Sequence, residues 1–210
     1  MEIYHGSNVG DIKEFKLFES TQEGQYIYAT YNYVWACIFG IAQQVGKSPV
    51  NRYEIRDGKT YFIERKQNQI KNNDGPIYVY IFDDNDFKNF NTDNYEGIER
   101  RTNIPQKPKK VIKYNSALEL LKSFENEGKL ELFFYPNKPQ NFSIYNGDID
   151  LLYWALGCYL ISPKNIIAFD KLILNFPQLA EKAKKLKNLT KTLNKNQLIE
   201  LTKEENLRKL

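Results

Sequence analysis

His5 is the only histidine in a chain of 210 residues. It stands at the end of a short β-type run, Glu2-Ile3-Tyr4-His5, and Gly6-Ser7 follow directly. A glycine there lets a ligand approach the main chain, whose N–H and C=O can read a carboxamide, and the Ser7 hydroxyl adds one more hydrogen bond. A second group is Gly24-Gln25-Tyr26-Ile27-Tyr28-Ala29-Thr30, followed by a helix that carries Trp35-Ala36. Tyr26 and Tyr28 share one face of a strand and can stack on a flat heterocycle. The third group is Tyr95-Glu96-Gly97-Ile98-Glu99-Arg100-Arg101-Thr102. A carboxylate on this late strand could orient a ribose hydroxyl and stabilise positive charge on a sugar. Glu96 and Glu99 are three apart, so a regular strand turns them to opposite faces and only one serves the pocket.

The order of these groups resembles an ADP-ribosyltransferase. Tyr4-His5-Gly6-Ser7 comes first, then Gly24 with Tyr28-Ala29-Thr30 and Ala36, then a late glutamate. The similarity is to the diphtheria-toxin-like and poly(ADP-ribose) polymerase branch with its His-Tyr-Glu triad, and it spans residues 2–114. The Arg…Ser-x-Ser…Glu-x-Glu pattern of the clostridial type is absent. The resemblance implies an NAD-dependent enzyme that transfers ADP-ribose to a protein or nucleic-acid acceptor and releases nicotinamide. It implies His5, Tyr28 and Glu99 as the catalytic set, with Glu96 in reserve. NAD would be held by His5, Gly6, Ser7, Tyr26, Tyr28 and Trp35, with His5 on the nicotinamide ribose and Gly6 on the carboxamide. A gapless alignment puts Ile27 at the triad tyrosine, Trp35 at a pocket serine and Ile38 at a second stacking tyrosine. A shift of one residue brings Tyr28 into the triad role. A binding module of the same fold without turnover is the alternative.

Such a site needs strands to carry it and a helix to hold them. Asn32 can cap a helix from Tyr33 to about Val45, ended by Gly46, with Val34, Ile38, Ile41 and Val45 at the helical period. Further strands are expected at 52–56 and 60–65 about an Asp57-Gly58 turn, then at 77–82, 95–102 and 110–114. From Asn115 the texture is helical: Ala117–Glu127, then 149–161 behind Asp148, then a start at Ser162-Pro163. The expected class is α+β. A β-rich, mixed split-sheet core of the ADP-ribosyltransferase type covers 1–114, and a helical C-terminal half covers 115–210. The 149–161 helix is apolar almost all round, which favours its packing inside, on the core, rather than as an independent domain.

Charge and composition bound the rest. Residues 181–210 hold nine Lys/Arg and four Asp/Glu, so this tail carries +5 and the remainder −1 of the net +4. A basic helical tail can meet nucleic acid or an acidic partner, or can simply be a solvated face. No apolar run reaches the roughly 18 residues of a membrane span, and the start lacks the basic and apolar regions of a signal peptide, so a cytoplasmic protein is expected. Cys37 and Cys158 read as buried thiols, and two cysteines and one histidine far apart leave no metal site.

Overall fold

The computed structural model describes residues 1–19, 25–56, 58–89, 98–139 and 148–210. The chain divides into two compact units, Met1–Pro136 and Asn137–Leu210. Helices and antiparallel sheet are both present, so the class is α+β.

In the first unit the strands are β1 (Glu2–Ser7), β2 (Phe18–Glu19), β3 (Gln25–Thr30), β4 (Asn51–Arg56), β5 (Lys59–Glu64), β6 (Ile77–Asp83), β7 (Lys88–Asn89), β8 (Glu99–Thr102), β9 (Lys110–Tyr114) and β10 (Glu131–Phe133). The larger sheet runs β7-β8-β3-β1-β6-β9, with β2 beside β3, and is antiparallel throughout. The smaller runs β10-β5-β4. Its β4–β5 hairpin is antiparallel, and β10 joins β5 in parallel. The helices are α1 (Tyr33–Val45), α2 (Gln69–Asn72) and α3 (Ala117–Asn126).

Local chemistry sets the principal helices. Asn32 is extended and its side chain accepts from Trp35 N–H at 3.0 Å, which caps α1. Gly46, at φ 115°, ends the helix and donates to Ala42 O at 3.1 Å. Ser116 caps α3 in the same way, on Glu119 N–H at 3.0 Å, and Gly128 at φ 69° follows it. Apolar burial then fixes the layers. On one face of the large sheet Ile77, Val79 and Tyr4 pack with α1, α3, Phe62 and Leu132. On the other face Ile3, Ile27, Ala29, Tyr80 and Phe82 are covered by Phe15 and Phe87.

Two expectations change. β1 does not stop at His5: Gly6 and Ser7 continue it, opposite Val79 and Tyr78 of β6. The helical texture from Asn115 is interrupted by β10, which pairs with β5 far back in the chain, so the first unit runs to Pro136 rather than to 114. The late strand is described from Glu99; Tyr95, Glu96 and Gly97 lie outside the described residues.

The second unit consists of α4 (Asp148–Ile161), α5 (Ile167–Asn175), α6 (Ala180–Leu189), α7 (Lys195–Leu201) and α8 (Glu204–Arg208). Pro163 opens a 3₁₀ turn rather than an α-helix, and Ser162 makes no side-chain cap bond. The described helices include none long and apolar enough to cross a membrane. Cys37 is buried as expected, whereas Cys158 is partly exposed, and both are free.

Candidate functional site

The site is built where β1 and β3 part. Their pairing is confined to Tyr4 opposite Thr30, whereas β1 pairs with β6 along its whole length. Asp84 N–H donates to Met1 O at 3.2 Å, which sets the alternation on β1. Odd-numbered residues turn their backbone groups to β6 and even-numbered ones to β3. Gly6 therefore aims its N–H and C=O at β3, beyond the point where the ladder ends. By the same alternation Tyr28 turns its carbonyl toward β1. That carbonyl is taken by a side chain: His5 Nδ1–H donates to Tyr28 O at 2.7 Å.

This bond defines the state of His5. A carbonyl only accepts, so Nδ1 carries the proton. Burial holds the imidazole below its ordinary range, against the opposing pull of the Tyr28 carbonyl. The neutral ring thus presents a lone pair at Nε2, ready to accept from a hydroxyl. Phe15 meets the ring edge-on, with centroids 4.9 Å apart. The Tyr80 hydroxyl pins the segment before Phe15, donating to Val9 O at 2.8 Å and accepting from Ile12 N–H at 3.2 Å.

Register divides the remaining residues between the two faces. Tyr4 lies opposite Thr30, and Thr30 opposite Glu99. Tyr4, Gly6, Tyr26, Tyr28, Glu99 and Arg101 therefore share the face that α1 covers. Ile3, His5, Ser7, Ile27, Ala29 and Arg100 share the other. The three expected catalytic residues do not lie on one face: Tyr28 and Glu99 are on the α1 side, and the His5 ring is on the other. The gap between β1 and β3 is the place where His5 reaches the backbone of Tyr28.

Glu99 is half-buried and its carboxyl is pushed up by that burial, with the Trp35 indole pulling the other way. Trp35 itself is fully buried, packed edge-on to Phe39 and Tyr53 at 5.5 and 5.8 Å. It is therefore no exposed platform for a ligand. Tyr26 and Tyr28 are both partly exposed, 6.3 Å apart in a T-shaped pair. Ile27 points the other way, into the Phe15 cluster, and Ile38 is buried among the α1 core residues. The Ser7 hydroxyl accepts from Val9 N–H at 3.1 Å and is buried in that turn. Gly6 has a packing reason of its own: a Cβ there would overlap the Ala36 carbonyl oxygen of α1.

Two participants were not singled out from the sequence. Phe15 covers His5, and nothing local marks it, because its ring contacts cross from one loop to two strands, β1 and β6. Arg101 lies with its guanidinium 4.3 Å from the centre of the Tyr26 ring. Its spacing of two from Glu99 on one strand was a usable signal. Among the described residues no cluster of His, Cys, Asp and Glu could hold a metal ion. Elsewhere in the same unit a cavity of about 850 Å³ is bordered by Asn32, Val34, the start of β5 and the segment 128–133.

Comparison with family models, with curated proteins and with solved structures finds no match.

Proposed function

We propose that the chain is an NAD-dependent ADP-ribosyltransferase. The observation that carries this reading is the gap between β1 and β3. Gly6 turns an unladdered N–H and C=O into it, opposite Tyr28, with Glu99 on the same face. A donor and an acceptor on one backbone unit match a carboxamide, and Tyr28 supplies a ring beside it.

In this reading the C1′–N bond of NAD breaks and its electron pair leaves with nicotinamide, which needs no proton because the ring was cationic. The sugar passes through an oxocarbenium-like state, as in glycoside hydrolysis. A bond forms from an acceptor nucleophile to C1′, and the acceptor's proton passes to the Glu99 carboxylate or to water. Burial that raises the affinity of Glu99 for protons makes it a better base than an exposed glutamate. His5 is a positioning residue that acts through Tyr28 O. Orientation and charge stabilisation supply the rate.

The test is transfer of label from NAD labelled in its ADP-ribose part to acceptors in a cell extract. His5→Ala and Glu99→Gln should each lower it by orders of magnitude. Unchanged labelling in both variants removes the site assignment. The second reading, a module that binds NAD without turnover, is favoured by the burial of Ile27 and Ile38, which offer no ring to a ligand. Saturable NAD binding without nicotinamide release would select it.

A further inference from the structure

Helix α5 of the second unit has one face packed and one face open. Ala168, Phe169 and Leu172 are buried. Ile167 and Leu174, on the opposite side, are 58% and 79% exposed, and Lys171 between them is exposed too. At 3.6 residues per turn these three lie within about 60° of one another around the axis. Lys164 precedes Ile167 by three residues in the 3₁₀ turn Pro163–Ile166, one turn of such a helix, and so extends the same row. Ile161, at the end of α4, stands before it and is 80% exposed. The row thus alternates cation and aliphatic: Lys164, Ile167, Lys171, Leu174. Aliphatic side chains this open depart from the polar outer face of an ordinary surface helix.

The positive charge on this row is uncompensated. Asp170, which neighbours Lys171 on the open side, is held by Lys187 of α6 at 2.7 Å. Among the described residues neither Lys164 nor Lys171 forms an ion pair. The tail from residue 181 adds five net positive charges to the same unit. An occupant must therefore be anionic and must also offer an apolar phase. Nucleic acid meets the first need and not the second. A protein partner takes a contiguous patch of about 800 Å², whereas here lysines separate the aliphatic side chains. A bilayer needs no matching shape. Aliphatic tips enter its acyl boundary one by one, and lysines between them lay their stems on the apolar surface and reach the headgroup anions.

We propose that the second unit is a peripheral membrane-binding element, and that the row Lys164, Ile167, Lys171 and Leu174 lies on an anionic phospholipid surface. The proposal is independent of the transferase reading.

The test is co-sedimentation of the full chain with vesicles of phosphatidylcholine alone, and of phosphatidylcholine with about one third phosphatidylserine. The wild type should pellet with the phosphatidylserine vesicles, come off them at high salt, and stay in solution with phosphatidylcholine alone. Ile167→Asp combined with Leu174→Asp should weaken the partition by at least about tenfold, and so should Lys164→Glu combined with Lys171→Glu. These positions are exposed, so the variants should keep the wild-type denaturant midpoint. Ile167→Ser combined with Leu174→Ser adds no charge. It separates lost insertion from added repulsion, and it keeps the test decisive if the Asp variant folds poorly. A wild type that stays in solution with both vesicle types overturns the proposal. So does undiminished binding in the Ser variant, which would leave the attraction to the basic tail alone. Retention of tRNA or duplex DNA without vesicle binding overturns it in favour of nucleic acid. A dimer that the Ile167 and Leu174 variants dissociate, again without vesicle binding, overturns it in favour of a second copy.

Discussion

A partly buried histidine that donates to a backbone carbonyl, with its charged form disfavoured, is neutral over most of the physiological range. His5 has that environment, and the charged form is disfavoured by burial. The native ring binds a proton below the ordinary 6.5, the unfolded ring at about 6.5. Between those values the unfolded chain binds more protons, so this group's contribution to stability is lost as pH falls from about 6.5 toward the native value. Glu99 acts in the opposite sense: its raised carboxyl pKa favours the native state as pH falls through that value. The two are separable, because one histidine gives one set of imidazole resonances. The His5 ring protons should titrate with a midpoint below 6.5 in the folded chain. A midpoint at or above 6.5 would mean that burial does not outweigh the pull of the Tyr28 carbonyl, and that the ring is more solvated than its place beside Phe15 implies.

At the scale of elements the decisive feature is the crossing of α1 over β1. Gly6 lies under Ala36 and Gly40, and an added Cβ would overlap a backbone carbonyl that cannot swing away. Gly6→Ala should destabilise the chain by about 1–3 kcal/mol as an overpacking change, read as a lower denaturant midpoint at constant slope. A midpoint within error of wild type would show that α1 does not cross there. The α1 helix was legible in the sequence because its signals are local: an Asn cap, an apolar period and a terminal glycine. Strand β3 was legible for the same reason, from its turn and its aromatic alternation. The gap between β1 and β3 was not legible, since ending a ladder depends on where two distant strands diverge. Strand β10 was missed because a three-residue parallel strand gains its identity only from β5, about seventy residues earlier. At the site, the sequence order indicated His5, Gly6, Tyr28 and Glu99, but not that the His5 ring and the Glu99 carboxylate belong to opposite faces. Parity on separate strands needs the register, and the register is set by pairing.

For the molecule as a whole, the expected site residues and the excess of positive charge fall in different units. His5, Gly6, Ser7, Tyr26, Tyr28, Trp35 and Glu99 all belong to the first, Met1–Pro136, together with the cavity. The excess of positive charge belongs to the helices of the second, where residues 181–210 carry nine Lys/Arg against four Asp/Glu. The most direct measurement is the release of nicotinamide from NAD by the intact chain, with and without a cell extract as acceptor. Release with the extract, slower release to water without it, and loss of both in Glu99→Gln are the expected results. No release in either condition, with the chain folded and NAD in excess, would contradict the assignment of the gap between β1 and β3 as a transferase site.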